Sequence, residues 1–301
     1  MKILTIFLSL LFFSLGATDV TFFVAADPHY GYEQWNNNEK LNKEAIKDMN
    51  ALPGTTYPRE GVVQKPFGVI VPGDLTGNGH WTNWSGYWAG SWVHGFDEDY
   101  QVKGKGRLKF PVYEGYGNHD IHTKGNDAVI KGIKERNKNR ARPINLSSNG
   151  LHYSFDVDGV HFINTNLYPG STKDSRDSLA FLKEDLEKRV GKSGRPVVLY
   201  HHYNFNTEAR WWTTEEKEAF YQVIKDYHVI AIFVGHSHAT QFMRFHGIPV
   251  FNAPTVKEKL NYLVVHIGDD SIQVVERVNK KWSREWNVPY TNCITSELQK
   301  Y

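Results

Sequence analysis

The segment Val20-Thr21-Phe22-Phe23-Val24-Ala25-Ala26-Asp27-Pro28-His29 joins an apolar run to a carboxylate and an imidazole that lie two positions apart. The short apolar run, Val20–Ala25, is typical of a strand that is buried on both faces. In α/β sheets, the loops beyond the carboxyl ends of such strands converge on one edge, where ligand sites form. Asp27 and His29 are therefore predicted to lie at that edge.

The same arrangement recurs four more times along the chain. The further apolar runs are Gly68–Val71, Pro111–Glu114, Pro196–Tyr200 and Val229–Val234. The polar clusters that follow them are Gly73-Asp74, Gly117-Asn118-His119-Asp120, His201-His202 and Gly235-His236-Ser237-His238. One such cluster alone is usually a turn or a structural histidine. Five in succession predict a dense metal site, with Gly73, Gly117 and Gly235 letting the backbone turn sharply before each functional side chain.

The remaining pattern favours a layered α/β domain, because short apolar runs alternate with helical periodicity. Alternating strands are predicted at Leu151–Val157, Val160–Asn164, Asn261–His266 and Ser271–Glu276. One helix carries Leu41, Ala45, Met49 and Leu52 on one face, and a second carries Leu179, Leu182, Leu186 and Val190. A third is expected to begin at the capping box formed by Thr213 and Glu216.

Composition excludes several classes of protein. The chain has 35 Lys and Arg against 33 Asp and Glu, with no long basic run, so a dedicated nucleic-acid partner is not expected. The single cysteine, Cys293, rules out an intrachain disulfide and a cysteine-based metal site. No repeat or linker divides the chain, so residues 18–301 are predicted to form one domain.

The first 17 residues read as a secretory signal peptide. Met1-Lys2 is followed by an apolar run from Ile3 to Leu15 and by small residues at Gly16 and Ala17. A retained signal anchor is the alternative, although the run is shorter than the roughly 20 residues that a spanning helix needs. The mature protein is predicted to have no membrane span and to be secreted, or periplasmic in a bacterium. The sequons at Asn83 and Asn145 could then carry glycans in a eukaryote.

The mixture of carboxylate, amide and imidazole ligands indicates which metals fit. Such a set suits Mn, Fe or Zn better than Ca, which prefers oxygen ligands alone. The clusters supply more ligands than one ion needs. Two ions sharing one carboxylate, about 3.5–4 Å apart, would use them all, as in many phosphatases and nucleases.

Taken in order, the clusters D-x-H, G-D, G-N-H-D, H and G-H-x-H resemble the signature of the calcineurin-like metallophosphoesterases, from about Val20 to Ile272. The resemblance implies a four-layer α/β/β/α sandwich with two packed mixed β-sheets and the metal site at the carboxyl-terminal edge of the strands. It implies a first metal held by Asp27, His29, Asp74 and His238, and a second held by Asp74, Asn118, His201 and His236. By the same resemblance, His119 is the general acid or transition-state stabiliser.

Two positions depart from the family pattern. Purple acid phosphatases place a tyrosine ligand three residues after the second-motif aspartate, where this chain has Gly77, so a tyrosinate–iron centre is not expected. The fourth motif is usually followed by proline, but here His201-His202 runs into Tyr203-Asn204. His201 is taken as the ligand because family members commonly use the first histidine of the pair. The sequence leaves His202 open as the alternative, or as a contact to the substrate phosphate.

The expected reaction is in-line attack on phosphorus by a hydroxide that bridges the two ions, with His119 protonating the leaving alkoxide. The predicted substrate is a small soluble phosphoester or a lipid head group. His202, Asn204 and Arg210 are candidate substrate contacts, because they lie in or just after the fourth motif. Two alternatives remain, an exported nuclease with the same two-metal chemistry and a secreted metal-binding protein without turnover.

Overall fold

The computed structural model describes residues 18–31, 38–59, 61–77, 95–121, 128–205 and 212–290. The predicted signal peptide, Asn83 and Cys293 lie outside these ranges. None of the helices in the described ranges is long and apolar enough to cross a membrane.

Two mixed β-sheets form the centre of the molecule. The six-stranded sheet has the order β13-β12-β11-β1-β2-β3, and the seven-stranded sheet has the order β4-β5-β6-β7-β8-β10-β9. Strands β1, β2 and β3 are parallel neighbours in the first sheet, and β6, β7, β8 and β10 are parallel neighbours in the second. The strands are β1 Val20–Val24, β2 Val69–Val71, β3 Val112–Glu114, β4 Asn145–Leu146, β5 Tyr153–Val157, β6 Val160–Asn164, β7 Val197–Tyr200, β8 Val229–Val234, β9 Gln241–Phe245, β10 Ile248–Asn252, β11 Tyr262–Ile267, β12 Ser271–Val278 and β13 Lys281–Pro289.

Helices flank the two sheets. They are α1 Asn38–Ala51, α2 Ala128–Asn137, α3 Ser178–Asp185, α4 Thr214–Ile224 and α5 Val256–Lys259, and α3 runs directly into a π-helical turn at Leu186–Val190. Helix α4 begins at the predicted capping box, in which the Thr213 side chain accepts from the backbone of Glu216 and the Glu216 side chain accepts from that of Thr213. The cap satisfies two backbone donors that the first turn of a helix leaves unpaired.

Two apolar clusters follow from the alternation of side chains along the strands. Phe22 and Val24 of β1 lie in a cluster with Phe162 and Phe233 of the second sheet, so this cluster fills the space between the sheets. Phe23 lies in the other cluster, which also contains buried residues of helices α1, α3 and α4. The predicted four-layer α/β/β/α sandwich is therefore confirmed.

Candidate metal centre

Five loops at the carboxyl-terminal edge of the sheets carry the predicted polar clusters. Three of them follow β1, β2 and β3 in the six-stranded sheet, and two follow β7 and β8 in the seven-stranded sheet. Since parallel strands point their carboxyl ends in one direction, the loops of both sheets meet over the gap between them.

One group of potential ligands consists of Asp27, His29 and His238, whose ligand atoms all lie within 4.8 Å of one another. Nε2 of His29 and Nε2 of His238 are 3.1 Å apart. Oδ1 of Asp27 lies 4.0 Å from the first of these nitrogens and 3.9 Å from the second. Three side chains from the loops after β1 and β8 thus point their donor atoms into one small space.

A second group consists of Asp74, His202 and His236. Nε2 of His202 lies 3.3 Å from Oδ2 of Asp74 and 2.9 Å from Oδ1 of Asn118. The same Oδ2 atom of Asp74 is 3.6 Å from Nε2 of His29, which belongs to the first group. One carboxylate oxygen therefore stands between the two groups.

The distances between these ligand atoms are close to those expected when the atoms bind a shared metal ion. Nitrogen and oxygen ligands held about 2.0–2.2 Å from one ion are themselves separated by roughly 3–3.5 Å. The two imidazole nitrogens that face each other at 3.1 Å need a proton or a cation between them, because both lone pairs point into the same space. Asp27, His29, Asp74 and His202 are buried, whereas Asn118, His119, His236 and His238 are partly exposed. The centre therefore has a buried floor and a rim that opens to solvent.

The buried ionisable groups of the centre shift one another's pKa values. Burial raises the pKa of Asp27 to about 7. Burial opposes ionisation of Asp74 as well, but His202 holds the pKa of this carboxyl well below its usual range. Burial disfavours the charged form of His202, yet the Asp74 and Asp27 carboxylates raise its pKa to about 9. In the metal-free protein, Asp74 and His202 form a buried ion pair.

The other histidines of the two groups are neutral at physiological pH. Burial lowers the pKa of His29 well below its ordinary value, lowers that of His236 to about 3, and lowers that of His238 too. A neutral imidazole is the form that binds a metal ion, so these three rings need not lose a proton first.

The backbone at the centre adopts conformations that non-glycine residues rarely take. Asp27, His29, Asp74, His236 and His238 all have a positive φ, between 45° and 71°. Such a conformation costs about 1–2 kcal/mol per residue. It persists only where the surrounding structure enforces it, and it is concentrated at functional sites.

The glycines of the motifs act in two different ways. Gly73 has a φ of 103°, which confirms the predicted sharp turn before Asp74. Gly117 and Gly235 do not share this positive φ, but the chain turns directly after each of them: Asp120 N–H donates to the Gly117 carbonyl at 3.2 Å, and Ser237 N–H donates to the Gly235 carbonyl at 2.9 Å. At both positions carboxylate side chains also approach closely. A Cβ at Gly117 would lie 2.2 Å from Oδ1 of Asp74, and one at Gly235 would lie 2.9 Å from Oδ2 of Asp27.

The structure corrects the choice between the paired histidines. His202 belongs to the second ligand group, whereas His201 belongs to none of the groups that the described residues form. The His201 ring is buried and stacks on Trp212 with ring centroids 5.5 Å apart, and burial lowers its pKa to about 3. The expectation that His201 is a ligand was therefore wrong: its side chain points into the apolar layer, and that of His202 points into the centre.

His119 lies beside the two groups. One of its ring nitrogens is within 4.8 Å of ligand atoms of His29 and Asp74. Its Nδ1 is 2.7 Å from the carbonyl oxygen of Gly77, which can only accept, so Nδ1 carries a proton and donates it. Its backbone N–H donates to Oδ1 of Asp74 at 2.9 Å. Nε2 is then the nitrogen that can take up and release a second proton.

Asp120, the last residue of the third cluster, had no predicted role. Its buried carboxylate accepts from the backbone N–H groups of Leu75, Thr76 and Gly117, each at 2.9 Å. It thus fastens the loop of Asp74 to the loop of Asn118 and His119. The sequence pattern included Asp120 in the third cluster, but only the fold shows which loops Asp120 joins.

The predicted substrate contacts that the structure describes lie in different surroundings. His202 is buried beside Asp74 and His236, in a group of side chains that could hold a metal ion. Asn204 is buried and its Nδ2 donates to Oδ1 of Asn252 at 3.0 Å, so this donor joins the loop after β7 to the end of β10 and does not face an open cleft. Arg210 lies outside the described residues.

A sixth loop, which the sequence did not predict, also reaches the centre. It follows β10 and leads into α5, and the Thr255 hydroxyl donates to the backbone oxygen of Asp27 at 2.8 Å. Lys257 is buried nearby, and its charge acts on Asp27. Glu258 lies 3.4 Å from His238. No aspartate or histidine marks this loop, so the ligand pattern gave no signal for it.

Comparison with known proteins places this centre in context. The family model described as calcineurin-like phosphoesterase matches residues 20–240. Purple acid phosphatase 23 of Arabidopsis thaliana is 28% identical over 216 residues, which are 66% of this chain and 46% of the plant protein. Purple acid phosphatase 15 of the same plant is 31% identical over 137 residues, which are 44% of this chain and 25% of that protein. The chain thus spans less than half the length of these curated relatives.

Solved structures share the fold. A purple acid phosphatase, PPD1, from yellow lupin seeds superposes with a TM-score of 0.59 at 10% identity, covering 91% of this chain and 54% of its own. GAP50, described as the anchor in the inner membrane complex of Plasmodium, superposes with a TM-score of 0.58 at 12% identity, covering 91% and 89%. At these identities the likeness concerns the fold alone. Because the family model matches more than half of the sequence and all five of its polar clusters, this chain belongs to the calcineurin-like phosphoesterase family.

Proposed function

We propose that this protein is a metal-dependent phosphoester hydrolase that holds two divalent or trivalent cations, Mn, Fe or Zn. The observation that carries the proposal is the position of one atom. Oδ2 of Asp74 lies 3.6 Å from Nε2 of His29 and 3.3 Å from Nε2 of His202. A single carboxylate oxygen that reaches both ligand groups is what two adjacent ions need.

The proposed ligands follow from the two groups. Asp27, His29, Asp74 and His238 hold the first ion, and Asp74, Asn118, His202 and His236 hold the second. No tyrosine belongs to this set, because Gly77 occupies the position of the tyrosine ligand of purple acid phosphatases, and its carbonyl oxygen accepts from His119. We therefore expect an iron-loaded sample to lack tyrosinate-to-iron charge-transfer absorption in the visible range.

When bound, the two cations supply an activated water and neutralise charge on the phosphoryl oxygens. The chain's own residues hold the geometry. Asp120 fixes the loops of Asp74 and His119 against each other through three backbone hydrogen bonds. His119, oriented by its Nδ1–H bond to Gly77, offers Nε2 to protonate the leaving alkoxide. The buried floor keeps bulk water away from the ligands on that side.

Substrate and compartment are part of the proposal. The centre opens at the rim formed by Asn118, His119, His236 and His238, and we propose a small soluble phosphoester or a lipid head group as substrate. The near-neutral charge, 35 basic against 33 acidic residues, argues against a nucleic-acid substrate. We propose that residues 1–17 direct the chain to export. The presence of His119 beside the ligands argues against a role without turnover.

The test is metal analysis of the purified protein, followed by parallel assays on a phosphomonoester and a phosphodiester with added Mn, Fe or Zn. We expect about two ions per chain and hydrolysis of at least one ester. Asp74→Asn should lose most of the bound metal and at least about 100-fold in kcat/KM, because the shared oxygen becomes a neutral amide. The control is Asp158→Asn in the exposed β5–β6 turn, which should leave both unchanged. Full turnover and metal content in Asp74→Asn would disprove the proposal.

A further inference from the structure

The loop after β10 is built to carry a side chain to the metal centre. Strand β10 is the parallel neighbour of β8, so its carboxyl end points to the same edge as the loop of His236 and His238. The chain continues from Asn252 through Thr255 into the short helix α5. The third residue of that helix is Glu258.

Two contacts to backbone carbonyls fix this loop to the segment that follows β1, and a third contact lies within the loop. The Thr255 hydroxyl donates to the Asp27 carbonyl at 2.8 Å, and the Val256 N–H donates to the Ala26 carbonyl at 3.1 Å. The Lys257 N–H in turn donates to the Thr255 hydroxyl at 3.3 Å. The backbone of Glu258 is thereby held in a fixed relation to Asp27, a proposed ligand of the first ion. Residues supported in this way can position a site side chain accurately.

The two ring nitrogens of His238 face different partners. Nε2 faces the first ligand group, 3.1 Å from Nε2 of His29 and 3.9 Å from Oδ1 of Asp27. Nδ1, on the other side of the ring, is 3.4 Å from Oε1 of Glu258. A histidine that binds a metal through one nitrogen generally gives the N–H of the other to an acceptor, which fixes the tautomer and the ring orientation.

The neighbouring rings show why a carboxylate at this position is distinctive. Nδ1 of His202 meets the carbonyl oxygen of Pro72 at 2.9 Å, and Nδ1 of His119 meets that of Gly77 at 2.7 Å. A carbonyl oxygen orients a ring but carries no formal charge. The Glu258 carboxylate also attracts the Nδ1 proton electrostatically, which makes Nε2 a stronger electron donor. His238 is partly exposed, so it also has less packing to hold its ring than the buried His29.

We propose that Glu258 is a positioning residue that orients His238 and strengthens its bond to the first metal ion. The proposal rests on the two-ion function proposed above and adds a residue from outside the five motifs. Glu258 acts through His238 and does not itself contact the ions.

The test measures the two steps of metal binding separately, by calorimetric titration of the metal-free protein with Zn²⁺. Glu258→Ala should weaken one step by about 10–100-fold and leave the other unchanged. Glu258→Gln keeps an acceptor but loses the charge, so its affinity should lie between those of wild type and Glu258→Ala. Glu135→Ala, at an exposed glutamate of α2 that pairs with Lys138, is the matched control and should leave both steps unchanged.

A second readout separates positioning from a merely structural role. In metal-free wild type, nitrogen NMR of the histidine rings should show His238 protonated on Nδ1, and this preference should weaken in Glu258→Ala. Equal affinities in a wild type that binds two ions and in Glu258→Ala would overturn the role of Glu258 but leave the proposed function intact. Loss of both binding steps together with a lowered Tm would also overturn it, because it would show that Glu258 only supports the fold. A wild type that binds no ion would overturn both proposals.

Discussion

At the scale of single residues, His202 connects the loops of the two sheets through both of its ring nitrogens. It comes from the seven-stranded sheet, yet its Nδ1 donates to the carbonyl of Pro72 in a loop of the six-stranded sheet. Its Nε2 reaches Asn118 and Asp74. The adjacent His201 stacks on Trp212 instead, in the layer of helices. One position along the chain therefore separates a proposed ligand from a core residue.

Exchange of each histidine for leucine should separate these two roles. His202→Leu should remove a ligand and reduce kcat/KM by at least about 100-fold, with fewer ions bound per chain. His201→Leu should keep both ions and full activity, because it exchanges one buried ring for an apolar side chain of similar size. Its free energy of unfolding should change by less than about 1.5 kcal/mol. Activity assays, metal analysis and urea unfolding of the pair check this, and the reverse pattern would restore His201 as the ligand.

Gly117 supports a second prediction at this scale, because a Cβ there would lie 2.2 Å from Oδ1 of Asp74. Gly117→Ala should displace the shared carboxylate and lower both metal affinity and kcat/KM by at least about tenfold, since small misplacements at a reacting centre are costly. The control is Gly159→Ala, where φ is 83° but no atom lies within 4 Å of the added Cβ. That variant should lose about 1–2 kcal/mol of stability and no activity. Equal metal affinity in the two variants would contradict the steric explanation.

At the scale of elements, the apolar runs predicted β1, β2, β3, β7 and β8 to within one residue at each end. These strands are covered on both faces, so they are apolar throughout and easy to recognise. The same property hid the orientation of His201 and His202. Val197 and Leu199 pack in the helix-side cluster, and Val198 and Tyr200 pack between the sheets, so no polar alternation marks which face each histidine continues. Which side chain enters the centre is settled only when the strand pairs with its neighbours.

Other elements escaped prediction for identifiable reasons. Strand β10 contains Pro249, which usually argues against a strand, and β13 is an edge strand whose exposed face is polar. Helix α2 contains Gly132, which weakens a helical pattern. Missing β10 also meant missing the loop that brings Thr255 and Glu258 to the centre. The five motifs could be predicted because metal chemistry limits ligand types, whereas supporting residues can be of any type.

The ion pairs at the end of β3 support a prediction about the stability of the fold. Glu114, the last residue of β3, is buried and accepts from Nε of Arg136 at 2.8 Å and from both terminal nitrogens of Arg140 at 2.7 Å. Glu114→Gln removes the carboxylate that pairs with the buried Arg140 and leaves Arg136 with Asp97 alone, so it should lower the free energy of unfolding by about 3–5 kcal/mol. Glu184→Gln, at an exposed pair with Lys188, should lower it by no more than about 1 kcal/mol. Urea unfolding at pH 7 measures both.

The stabilisation that the Glu114 ion pairs provide changes with pH in a defined direction. Burial opposes ionisation of Glu114, but Arg136 and Arg140 lower its pKa to about 2, from 4.5 in an unfolded chain. Between these values the unfolded state binds more protons, so the stabilisation is present above about pH 4.5 and is lost as the pH falls through about 2. The stability difference between wild type and Glu114→Gln should therefore shrink as the solution is acidified. A difference that stays constant down to pH 2 would show that the ion pair is not its source.

At the scale of the whole molecule, the metal centre lies where the two sheets meet and joins them. The backbone N–H of His236, from the seven-stranded sheet, donates to Oδ2 of Asp27, from the six-stranded sheet, at 3.1 Å. His202 makes the second connection, to Pro72. Two ions held by ligands from both sheets would add further bonds across the same interface. Metal binding should therefore stabilise the whole fold and not only the loops that carry the ligands.

The size of that stabilisation should depend on pH, because the metal-free centre holds protons that the ions must displace. Burial raises the pKa of Asp27 to about 7, and the Asp74 and Asp27 carboxylates raise that of His202 to about 9 against the effect of burial. At these two groups the folded metal-free protein binds more protons than the unfolded chain. The stability that they contribute to the metal-free protein is therefore lost as the pH rises, from about 4 to 7 at Asp27 and from about 6.5 to 9 at His202. His29, His236 and His238 are neutral with or without metal over most of this range, so they contribute little to the difference.

The difference in Tm between metal-loaded and chelator-treated protein should consequently grow as the pH is raised from about 5 to about 9. Calorimetric unfolding of both forms across this range measures it. Metal titrations in two buffers of different ionisation enthalpy should show about two protons released per chain near pH 6 and about one near pH 8, as Asp27 and then His202 become deprotonated before the metal arrives. A Tm difference that is flat over the range, or binding without proton release at pH 6, would mean that Asp27 and His202 do not carry these protons and that the ions bind elsewhere.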